Sequence, residues 1–258
     1  MQLLEIRSTL FALGLFVGTL LMLEAGRRAG GRWRSRIMEG GAAGIGAVET
    51  AIFTLLGLLI AFTFQGAAAR FDARRALVVE EVNHVGTAWL RIDLLPATDQ
   101  GRMRELFRAY LDSRIETYRR IPDVAAVKAQ IRITERLQGE IWKLALNSHR
   151  EGATAVLTGM LPALNAMFDI VTTRTMAART HPPGVVFGML ALLAGMAAFM
   201  AGNGMSGTKI RSWLHIIAFA TVLAVTVYVI MDMEYPRVGL IRVDDFDEAL
   251  VNLRRSMN

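Results

Sequence analysis

Residues 49–75 read ETAIFTLLGLLIAFTFQGAAARFDARR. No charge falls between Glu49 and Arg70, and at 1.5 Å per residue that stretch spans about 30 Å, the thickness of bilayer hydrocarbon. It therefore reads as a transmembrane helix. Beyond it, Phe71, Val78, Val82, Val85, Trp89 and Ile92 recur at helical rather than strand spacing, and no Gly or Pro separates them from the apolar run. One helix is predicted from about Val48 to Leu95, stopped by Pro96.

Working outward, three more uncharged runs appear at residues 8–23, 180–208 and 212–231. The chain is 53% hydrophobic yet carries 29 Lys and Arg against 23 Asp and Glu, so apolar and charged residues are segregated along it. This argues against a soluble globular enzyme. All basic residues but Lys128, Lys143 and Lys209 are arginines, many beside the apolar runs, so membrane flanking accounts for the charge without a nucleic-acid partner. The absence of cysteine excludes a disulfide scaffold, a thiolate zinc site and a cysteine nucleophile. The first run follows Glu5 and Arg7 and ends in Leu-Glu-Ala-Gly, which reads as a retained membrane helix with Arg7 and Glu24 at its interfaces, not as a cleaved leader.

The predicted fold is all-α, with four transmembrane helices in two pairs and a helical extramembrane domain between them. Residues 1–69 hold the first pair, at about 6–24 and 47–69. Residues 70–180 form the helical domain. Residues 181–233 hold the second pair, at about 184–202 and 212–232, and 234–258 form a turn and an amphipathic tail. Within the domain, a second helix is predicted from an N-cap at Thr98 or Asp99 to Arg120, with Met103, Phe107, Tyr110, Leu111 and Tyr118 inward. A third after Pro122 turns Val124, Val127, Ile131, Ile141 and Leu144 inward, and a fourth follows Gly152. Pro182 and Pro183 mark the entry to the third membrane helix.

Several motifs have plain explanations. Gly202, Gly204 and Gly207, followed by Thr208 and Lys209, spell a dinucleotide fingerprint without the strand it requires, so a flexible turn between membrane helices is expected. The linker holding Arg27, Arg28, Arg32, Arg34 and Arg36 is likewise glycine-rich. His84, His149, His181 and His215 lack ligand spacing, so no metal and no cofactor is predicted. No nucleophile, base and orienting group fall together, and the chain is not read as an enzyme. Glu49 is either an interfacial or intersubunit contact or a charge at a pore mouth.

The run from Phe53 through Gly57 to Phe62, followed by Ala69-Arg-Phe71-Asp-Ala-Arg74-Arg75, resembles the pore helix of bestrophins. Met231-Asp232-Met-Glu234-Tyr-Pro236-Arg-Val-Gly239 is similar to that family's acidic, Pro-containing turn. The nearest likeness is to bestrophin-like proteins of about this length. The resemblance implies a homo-oligomeric ion channel, a pentamer, passing small inorganic ions, with the second membrane helix lining the pore. Its neck would hold Leu58 and Phe62, with Thr54 or Gly66 as the third ring. Glu49, Arg70, Arg74 and Arg75 would lie at the pore mouth or membrane flank, and Asp232, Glu234, Pro236 and Gly239 in the C-terminal turn. Asp232, Glu234, Asp244, Asp245 and Asp247 are split by a gap, unlike the family's dense calcium-binding cluster. The alternative reading is a non-conducting scaffold or sensor whose helical domain binds a partner through the stripe from Val78 to Ile92. The resemblance places a multi-pass protein in the inner membrane, with both termini and the central domain cytosolic. Basic residues in the two short loops argue for the reverse, and Arg70, Arg74, Arg75, Arg174 and Arg179 nearly cancel them.

Overall fold

The computed structural model describes residues 2–37, 43–121, 123–150, 156–207, 212–237 and 239–257, and among them there is no strand. Gly152, Pro122, Thr208, Lys209 and Arg211 lie outside the described residues, as do the side chains of Arg7, Arg32, Arg34, Arg36, His149, Asp244 and Asp245. Eight α-helices are described: α1 (Gln2–Ile37), α2 (Ala43–Leu90), α3 (Ala97–Arg119), α4 (Val124–Arg150), α5 (Leu161–Arg179), α6 (Gly184–Gly204), α7 (Trp213–Glu234) and α8 (Asp244–Ser256). Among the described residues, four helices are long and apolar enough to cross a membrane. The chain forms two compact units, one of residues 2–69 and 181–235, the other of residues 70–180 and 236 onward.

The membrane unit packs around Leu15, Leu56, Leu190, Ala194, Ala197, Leu223 and Val227. Phe11 meets Phe187 edge-on at 6.2 Å, and Phe53 meets Phe219 at 6.4 Å. Without water inside a bilayer, backbone groups must be satisfied within each helix, and close packing replaces the hydrophobic effect in joining helices. Glycine makes that packing possible here. A Cβ on Gly26 would fall 1.9 Å from the Phe199 carbonyl oxygen, one on Gly30 would fall 2.1 Å from Asn203 Oδ1, and one on Gly202 would fall 1.9 Å from the Leu23 carbonyl oxygen. So α1 and α6 touch backbone to backbone. This corrects two expectations. The glycine-rich segment after the first apolar run is not a loose linker through Gly30, because α1 continues to Ile37. Gly202 and Gly204 belong to α6, Gly202 as a contact residue, and Met205–Gly207 follow as a 3₁₀ turn.

The helical unit holds the second half of α2 with α3, α4, α5 and α8. Val78, Val85 and Ile92 of the predicted stripe are buried, and Phe107, Tyr110, Leu111, Ile141, Met160, Leu164 and Met167 complete the core with Leu250 and Met257 from the C-terminal segment. Trp89 packs 6.2 Å from Phe107, and Phe168 lies 6.5 Å from both Tyr110 and Trp142. Ahead of Pro96, α2 ends in a 3₁₀ turn, Arg91–Leu94. The N-cap of α3 is Pro96, not Thr98 or Asp99. Asp99 instead accepts a 2.5 Å hydrogen bond from Ser148. Asp123 caps α4, its Oδ1 accepting from Ala125 and Ala126 N–H at 3.0 Å each. Val124 is 66% exposed, in contrast to its predicted inward place; the buried face of α4 is Thr134, Leu137, Ile141 and Ala145. A π turn, Val156–Met160, precedes α5, where Pro162 removes one helical donor. The Gly159 carbonyl accepts from Arg91 Nη1 at 2.6 Å.

Candidate functional site

The sequence-predicted site residues occupy three places. Thr54, Leu58 and Phe62 stand on one face of α2, because residues four apart share a helix face. Within the protomer this face is unpacked: Leu58 is 48% and Phe62 67% exposed, and Thr54 is exposed as well. Gly66 is half-buried one turn on. The opposite side of α2 carries Ile52, Leu56, Leu59 and Ile60 into the membrane-unit core. Thr54 Oγ1 donates 2.8 Å to the Thr50 carbonyl, and Thr63 Oγ1 2.8 Å to the Leu59 carbonyl. Their hydroxyls are thus satisfied by their own helix, which leaves the exposed face apolar in character. Glu49 is half-buried near the start of the same helix.

The arginines diverge. Arg74 is buried, and its Nε and Nη2 donate to the carbonyls of Ala177 at 3.2 Å and Thr180 at 2.8 Å. It thereby adds a second donor to the Ala177 carbonyl, which also accepts from Thr180 N–H at 3.4 Å, and sets a cation against the negative end of α5. Arg75 pairs with Asp72 at 3.2 Å, and its guanidinium lies 4.3 Å over the Phe246 ring and 5.6 Å over Phe71. Arg70 is half-buried.

In the C-terminal turn, Asp232 and Glu234 are buried in the last turn of α7. His181 Nδ1 lies 3.5 Å from the Glu234 carboxylate, and its ring stacks on Tyr235 at 4.6 Å. The Pro236 carbonyl then accepts from Val243 N–H at 3.1 Å, closing the loop that carries Gly239. Asp247 is held by Arg237 at 2.6 and 3.0 Å and by Arg174 at 3.7 Å.

A fourth constellation escaped the sequence reading. Glu81 is fully buried in the helical unit, where Arg114 Nε donates to its Oε1 at 2.6 Å, Arg174 Nη1 donates to Oε2, and the Tyr118 hydroxyl donates at 3.0 Å. Arg174, Arg237 and Arg114 stack on the Tyr118 ring at 4.1, 4.7 and 4.9 Å. Burial alone would raise the Glu81 carboxyl, but the Arg114 and Arg174 guanidiniums outweigh it and hold the group at about 2. Burial pushes the Tyr118 and Tyr110 phenols up. The signal was present: Glu81 lies three residues after Val78 and four before Val85, and Arg114 lies midway between Tyr110 and Tyr118. An acid on one buried stripe and a base on another announce a buried pair.

The family model described as the Bestrophin-like domain matches residues 14–246. No curated protein and no solved structure matches the chain.

Proposed function

The chain belongs to the bestrophin-like family, and from that membership we propose that it is a homo-oligomeric ion channel, a pentamer, whose α2 helices line the pore. The observation that carries the reading is the apolar face of Thr54, Leu58 and Phe62, which one protomer leaves unpacked, whereas on the other side of the same helix Leu56 is buried and Ile52, Leu59 and Ile60 are partly buried. Five copies around an axis would turn Leu58 and Phe62 into successive apolar rings, and rings of that kind gate by dewetting, without charge. Glu49 and Arg70 bracket this stretch. They are 21 residues apart, about 32 Å along the helix, which matches the hydrocarbon thickness. Small inorganic ions are the permeant class, and no catalytic step is assigned. Thr54 or Gly66 supplies the third ring.

In this reading residues 70–180 and both termini are cytosolic. Accessibility of single introduced cysteines tests that side, since the chain has no background thiol. Conduction is tested by ion flux into liposomes containing the reconstituted oligomer. Replacing both Leu58 and Phe62 by Ala should raise flux while the oligomer keeps its size on blue-native gels. A well-assembled double variant with unchanged flux removes the neck, and a monomeric or non-conducting parent removes the channel.

A further inference from the structure

The pair α1 and α6 touches backbone to backbone at Gly26 and Gly202, then opens toward the start of α1 into a groove of about 390 Å³. That volume falls in the range of small-ligand sites, about 300–1,000 Å³. Leu10, Gly14, Gly18 and Met22 of α1 wall it, with Ala191 and Gly195 of α6. A Cβ on Gly14 or Gly18 would meet nothing within 4 Å, so the groove exists because these side chains are missing. Thr19 also lines it. This residue is 1% exposed, and its Oγ1 finds no hydrogen-bond partner among the described residues. A buried hydroxyl without a partner is destabilising, and a ligand oxygen would satisfy it.

We propose that this groove binds the hydrocarbon chain of one membrane lipid, whose ester carbonyl accepts a hydrogen bond from the Thr19 hydroxyl. The depth fits. Thr19 precedes Glu24, which holds Arg27 and Arg28, by five residues, or about 7 Å along the helix. The interfacial layer is roughly 5–7 Å deep on each side of the hydrocarbon, so Thr19 stands at its floor, where glycerolipids carry their esters. From there the groove runs nine residues to Leu10, about 13 Å into the hydrocarbon. A helix of a second copy is too wide an occupant. Helices with side chains are about 10–12 Å across, whereas this notch lies between two helices already in backbone contact.

The test is native mass spectrometry of the detergent-purified full chain, delipidated and then titrated with phosphatidylglycerol in ester-linked and ether-linked forms. The parent should retain one ester-linked lipid per protomer. Thr19→Val should weaken that form about three- to tenfold, the value of one hydrogen bond, and leave the ether-linked form unchanged. The double variant Gly14→Leu, Gly18→Leu should lose both forms with melting temperature and oligomer mass unaltered. Retention of lipid by a well-folded double variant overturns the proposal. So does retained lipid with a smaller oligomer, which would make the groove a seat for a second copy. Should the double variant melt early, a phosphatidylglycerol bearing a diazirine in its chain decides on the unaltered protein. Labels on the Leu10 to Met22 segment support the site, and labels confined elsewhere overturn it.

Discussion

Replacing Glu81 by Gln should destabilise the helical unit heavily while preserving side-chain size. The amide still offers an oxygen, but the Arg114 and Arg174 guanidiniums, 4% and 8% exposed, lose the carboxylate that compensates them. Breaking a buried ion pair by removing one partner costs about 3–5 kcal/mol. The depressed carboxyl leads to a figure of the same size. A carboxyl lowered from 4.5 to about 2 corresponds to about 3 kcal/mol at 1.36 kcal/mol per unit. Because the folded-state value is depressed, this stabilisation is fully present above pH about 4.5 and is lost as pH falls toward 2. At roughly 2–4 °C per kcal/mol, the Gln variant should melt about 6–20 °C below the parent at pH 7. Tryptophan fluorescence reads the transition, since Trp89 and Trp142 both pack against the core. The gap between parent and variant should narrow between pH 5 and pH 3. A variant that melts within 2 °C of the parent at pH 7, or a gap unchanged in acid, would refute the reasoning.

Gly26→Ala should drive α1 and α6 apart, since its Cβ would lie 1.9 Å from a backbone oxygen that cannot move alone; a loss of at least 1–3 kcal/mol is expected in thermal melts, whereas Gly14→Ala, facing open space, should be silent. Truncation after Arg237 removes the buried Leu250 and Met257 and the Arg254 to Asp112 pair; at about 1.5–3 kcal/mol per buried side chain, it should cost roughly 3–6 kcal/mol and lower oligomer stability on blue-native gels.

The segregation of charge made the membrane helices legible, and Pro96 and Pro183 marked two helix boundaries because proline's effect is local. The glycines were misread for a physical reason. Gly26, Gly30 and Gly202 are used for their missing side chains, which only the position of the opposing helix reveals, whereas sequence alone suggests backbone freedom. Val124 had the right spacing for burial but stands in the first turn of α4, where periodicity fixes a face without saying how far the core extends. Glu81 and Arg114 each carry a readable mark, a charge on an apolar stripe, but which charge meets which depends on α2 and α3 packing together, and spacing within one helix does not state that. The exposed face of Leu58 and Phe62 was proposed from a family likeness, and no apolar pattern within α2 singles it out.

The helical unit draws on two stretches of chain separated by α6 and α7. Its core takes Leu250 and Met257 from the far end, the Met257 carbonyl accepts from Arg108 Nε at 2.7 Å, and Asp247 joins Arg174 and Arg237 beside Tyr118. During synthesis, residues 70–180 therefore leave the ribosome with a gap in their apolar interior. That gap is filled only after both later membrane helices have been made. A nascent chain that stops within α6 or α7 lacks Leu250 and Met257, so the interior of the helical unit stays incomplete until translation has passed both helices.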